Sequence, residues 1–174
     1  MSKFIKKKYD VEDGEKKKVF AKGEKREDYA AAWKTSDRVF LAGLSGAGRR
    51  ELAQLLADEL NVAVNEPTDD ESLRAACAGD PAIVVVGSRF FEDPELAGLM
   101  NRSGKVFYMM ADAQTLANRV AEREGADQVE SVWRNTADEL GRVEPSIMGS
   151  LHFILQAVNR PGDLLRDALE KISW

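Results

Sequence analysis

Fully apolar runs and amphipathic stretches alternate along most of the chain. AIVVVG at 82–87 and KVFYMMA at 105–111 are apolar on nearly every residue, as strands buried on both faces of a parallel sheet are. RVFLA at 38–42 predicts an earlier strand, VAV at 62–64 a short one, and SLHFILQA at 150–157 a weaker last one. Between these runs the apolar period changes to that of a helix. Leu52, Ala53, Leu55, Leu56 and Leu60 share one face of a predicted helix over 49–60, with Asn61 placed to close it. A short helix over 69–79 would have Asp69 and Asp70 at its positive end. PELAGLMNR at 94–102 predicts another helix, and residues 112–125 and 127–142 two more, with Asp112 capping the first and Gly125 between them. A last helix over 160–173 takes Asp163 as its N-cap. Strands alternating with helices predict an α/β fold with a parallel sheet covered on both faces. Such sheets bind ligands at the carboxyl ends of their strands.

Composition agrees with a globular domain of 174 residues, 44% hydrophobic and 32% charged. No apolar run nears the roughly 20 residues a membrane span needs, and the lysine-rich start lacks the apolar core of a secretory signal. The cytoplasm is therefore the expected compartment. Cys77 is the one cysteine; it forms no internal disulfide or cysteine zinc cage and reads as a small buried hydrophobe. Trp33, Trp133 and Trp174 read as packing residues, and His152 as a core or edge histidine.

Charge divides the chain. Residues 1–38 carry 12 Lys+Arg against 8 Asp+Glu, and the remainder 13 against 22. The body is thus acidic, unlike a nucleic-acid binder. Residues 1–26, with KKK at 6–8 and 16–18, form a basic arm: a hairpin around Asp13-Gly14 or a disordered tail. Such an arm either contacts RNA, anionic lipid or an acidic partner, or is simply solvated. Residues 27–35 read as a short helix opening a domain over 27–174.

The candidate chemistry lies in GLSGAGRR, Gly43 to Arg50, between the first strand and its helix. Its spacing is that of the phosphate loop GxxxxGK[ST]. Gly43, Gly46 and Gly48, with Ser45 and Ala47 between them, suit a loop whose backbone N–H groups cradle phosphate. Arg49 stands at the lysine position and Arg50 at the Ser/Thr position. Guanidinium is a planar fork rather than a compact charge, and arginine, with donors only, cannot ligate magnesium. The pattern predicts surviving anion affinity and severely weakened metal-assisted phosphoryl transfer.

RVFLAGLSGAGRRELAQLLADELNVAVNE resembles the opening of shikimate kinases, within the nucleoside-monophosphate-kinase-like P-loop group. AIVVVGSR resembles that family's third strand, SGKVFYMMADAQTLANRV its fourth with the following helix start, and EPSIMGSLHFIL its late segment and last strand. The resemblance covers roughly residues 38–172 and implies a five-stranded parallel sheet in the order 2-3-1-4-5. It also marks departures. The family's acidic pair falls near Glu66 and Thr68, and its triple glycine is Gly87-Ser88-Arg89. Residues 65–81 stand where a substrate-binding lobe would be inserted, and Arg74 is a poor substitute for its arginine. The lid would fall near Glu122 to Glu130. Arg119 and Arg123, and similarly Arg142, either contact a nucleotide or lie on a helix surface. Asp69 and Asp70 supply a displaced metal site or, more simply, a helix start.

These features favour a degenerate shikimate kinase-like protein that binds or regulates, holding phosphate, sulfate or a nucleotide without magnesium. An active small-molecule kinase with unusual loop chemistry is a second reading. An interaction protein working through the basic arm is a third.

Overall fold

The computed structural model describes residues 38–125 and 129–173. The expected arm over 1–26, the helix over 27–35, Trp33 and Trp174 lie outside them, as does part of the expected lid.

Five parallel strands form one sheet in the order β2-β3-β1-β4-β5. They are β1 (Val39–Ala42), β2 (Ala63–Asn65), β3 (Ala82–Val85), β4 (Lys105–Met110) and β5 (Phe153–Gln156). The helices are α1 (Arg49–Leu60), α2 (Asp70–Ala78), α3 (Pro94–Ser103), α4 (Ala113–Glu124), α5 (Val129–Met148) and α6 (Pro161–Ile172), with a 3-10 turn over Ser88–Phe91 after β3. Central β1 pairs Val39 with Ile83 on one side and Lys105 on the other. Its four residues are buried, as are those of β3. Edge strand β2 is exposed at every position.

The caps of α1, α2 and α4 follow the sequence. Asn61 closes α1 at φ 53°, its N–H bonding to the Ala57 carbonyl. The Asp69 carboxylate and the Ser72 hydroxyl form a reciprocal capping box on α2, so Asp69 and Asp70 have a helix-start role that needs no metal. Asp112 caps α4 through the Thr115 N–H at 2.9 Å.

Three expectations need correction. α5 runs six residues beyond Arg142, through Pro145. Proline removes one helical hydrogen bond, but fully buried Val143 and Ile147 flank it. Glu144 also accepts a 2.7 Å bond from the Tyr108 hydroxyl. α6 starts at Pro161, not after Asp163; proline is preorganised for the first helical position, and Asp163 instead accepts from the Arg166 side chain. Trp133 does not pack inside. It is 39% exposed, because the apolar stripe of α5 continues through Val129 and Trp133 past the buried positions at Thr136, Val143 and Ile147. Cys77 is buried, as expected, and burial pushes its thiol up.

Candidate functional site: the glycine loop and its arginines

The chain leaves buried β1 and turns at once. Ala47 N–H bonds to the Leu44 carbonyl at 3.2 Å, and α1 begins with Leu52 N–H on the Gly48 carbonyl at 3.1 Å. Gly43, Gly46 and Gly48 have φ of 153°, 91° and 82°. Gly48 stands at the N-cap with no side-chain cap bond. The first-turn N–H groups of a helix have no intrahelical acceptor, and with the helix dipole they favour an anion there.

Four arginines surround this loop. A cavity of about 430 Å³ is lined by Ser45, Gly46, Gly48, Glu51 and the side-chain-bearing Arg49, Arg50, Arg119 and Arg123. Arg119 and Arg123, one helical turn apart on α4, both reach the loop. Arg119 donates to the Gly46 carbonyl at 3.2 Å and to the Ala157 carbonyl at 2.8 Å. Arg123 donates to Ser45 Oγ at 3.1 Å and to Glu124 at 3.2 Å. An adjoining cavity of about 220 Å³ extends from Arg119 to Asn159, Pro161 and Leu164, and Ala47, itself buried, lines this one. Nothing in the sequence around Ala157 to Pro161 announced its place beside the loop.

Arg49 and Arg50 are both engaged. Arg49 turns across the sheet and donates to the Val86 carbonyl at the end of β3. Burial pushes its guanidinium down, with nearby Glu66 and Glu139 opposing the shift. Arg50 points outward and meets Glu66 in a forked contact: Nε lies 3.0 Å from both carboxylate oxygens and Nη2 2.6 Å from Oε1. Hydrogen bonding from Arg50 holds the Glu66 carboxyl below its usual range.

The remaining candidates are pinned elsewhere. Thr68 offers its carbonyl to Arg89 at 2.9 Å, and Ser88 donates to Glu139 at 2.6 Å. Arg74 pairs with Glu95 and Arg142 with Glu92, each on the surface. His152 Nδ1 accepts the Val106 N–H at 2.9 Å, away from the loop. A further cavity of about 450 Å³ runs beside β2 and α2; Glu66 lines it, but no loop residue does.

The parallel sheet in the order β2-β3-β1-β4-β5 decides the fold. The fold is that of shikimate kinase and related P-loop kinases. A shikimate kinase from Acinetobacter baumannii, solved with shikimate, superposes with a TM-score of 0.67 at 16% identity, over 83% of this chain and 97% of that one. The YorR protein of Bacillus subtilis, solved with phosphorylated GDP, gives 0.66 at 13% identity over 78% and 95%. A gluconokinase from Sinorhizobium meliloti gives 0.52 at 14% identity over 78% and 91%. No protein-family model and no curated protein sequence matches the chain. P-loop kinase folds imply a magnesium–nucleotide complex, and the residues here do not fit the metal. Arg50 offers only donors where a hydroxyl ligand belongs, and Glu66, where the family's acidic pair would fall, is bound to that same guanidinium.

Proposed function

We propose that this P-loop kinase-like protein binds a phosphate-bearing anion without magnesium and does not transfer phosphoryl groups at a significant rate. The anion is phosphate, sulfate or the phosphates of a nucleotide, held at Gly43 to Arg50 with Arg119 and Arg123 alongside. The observation that carries the reading is the engagement of both replaced positions: Arg49 on the Val86 carbonyl and Arg50 on Glu66. Phosphoryl transfer depends on a positioned cation and metal that neutralise developing charge. Removing one such electrostatic group commonly costs about 10²–10³-fold in rate. Residues 65–81 add a strand end and the single short helix α2 between β2 and β3, which leaves no lobe to enclose an acceptor.

The test is a phosphoryl-transfer assay with Mg-ATP and a panel of shikimate, gluconate and nucleosides. ADP release at the no-enzyme background is expected with every acceptor. Acceptor-dependent turnover well above it would establish the active-kinase reading instead.

A further inference from the structure

The four arginines around the loop differ in what holds them. Arg49 and Arg119 rest on backbone carbonyls, which the fold fixes in place. Arg123 shares itself between Ser45 Oγ and its chain neighbour Glu124. Arg50 is the one of the four held by a carboxylate from a different element, Glu66, on the segment between β2 and α2. The contact is forked, so Glu66 presents to the guanidinium the same pair of oxygens that a phosphoryl group would. Both side chains are exposed, 76% for Arg50 and 45% for Glu66, and exposed ion pairs are weak and readily broken.

We propose that Glu66 gates the loop's anion site: its carboxylate is an internal counter-ion on Arg50, and a metal-free polyphosphate binds by displacing it. The proposal rests on the anion-binding reading above and adds its regulation. A diphosphate carries more charge than a carboxylate and can lie on the loop and Arg50 together. Arg50 then supplies positive charge at the position where other phosphate loops use a metal-ligating hydroxyl. Whatever holds Glu66 away from Arg50 tightens the site.

Calorimetric titration in EDTA, with pyrophosphate and with ADP, tests the gate in wild type, Glu66→Gln, Arg50→Met and the double variant. Thermal melting checks that the variants stay folded, which the exposure of both side chains favours. Glu66→Gln is expected to bind pyrophosphate roughly two- to five-fold more tightly, the range an exposed ion pair can supply. The gain should vanish in the Arg50→Met background. The same gain with ADP supports a nucleotide as the source of the polyphosphate; a gain with pyrophosphate alone supports free polyphosphate. Unchanged or weaker binding by Glu66→Gln overturns the gate while leaving wild-type anion binding intact. A gain that persists without Arg50 also overturns it, as a field effect of the lost charge. No binding by any variant overturns the gate and the anion reading together.

Discussion

Gly43, Gly46 and Gly48 share positive φ but not surroundings. A Cβ on Gly46 would lie 2.6 Å from the Leu116 carbonyl oxygen, whereas one on Gly48 would meet open space. Gly48→Ala should therefore cost only the left-handed strain, about 1–2 kcal/mol. Gly46→Ala adds a clash against the backbone of α4 and should cost about 3 kcal/mol or more. Urea unfolding of the two variants checks this, and equal losses would contradict it. The glycine spacing was legible in the sequence because the motif states it. The donor-only chemistry of Arg50 was legible too, since it belongs to the residue type. The directions of the arginines were not. Arg49 meets a carbonyl 37 residues away and Arg50 a carboxylate 16 away, and no local pattern encodes contacts that depend on how β3 and the segment after β2 return to the loop.

At the scale of elements, the β4–β5 pairing carries a titratable group. His152 Nδ1 accepts the Val106 N–H, while the His152 backbone N–H donates to the Val106 carbonyl at 2.8 Å. Burial, and then the charge of Lys105, lowers the ring's pKa, so the folded chain takes up the proton only at a lower pH than the unfolded chain does. The unfolded chain takes up the proton near pH 6.5. Stability is thus fully present above about pH 6.5 and falls as pH drops through the window below it, down to the lowered folded pKa. This is the chain's one histidine; His152→Gln should flatten the dependence of urea midpoint on pH between about 5 and 7. An unchanged slope would refute the assignment. Among the described residues the strands β1, β3 and β4 were readable because buried parallel strands are apolar throughout, and the helices because they carry apolar stripes; β2, exposed at every position, was marked only by its β-branched run. Boundaries were less so: Pro145 lies inside α5 and Pro161 opens α6, and tertiary packing decided which proline a helix could absorb.

For the whole molecule, the strand order followed from the family resemblance rather than from periodicity, which fixes elements but not their neighbours. The sheet places β1 centrally, and the loop after it meets α4 and the stretch after β5. Arg119 joins all three, bonding to Gly46 and Ala157, a convergence that only the assembled fold provides. The shikimate kinase and YorR structures share this architecture at 13–16% identity. The central claim, a phosphate loop that holds an anion without magnesium, is tested most directly by calorimetric titration with ATP in magnesium and in EDTA. The account predicts binding in EDTA that magnesium leaves unchanged or weakens, since the metal neutralises phosphate charge and finds no ligand at Arg50. Micromolar binding that requires magnesium would contradict it.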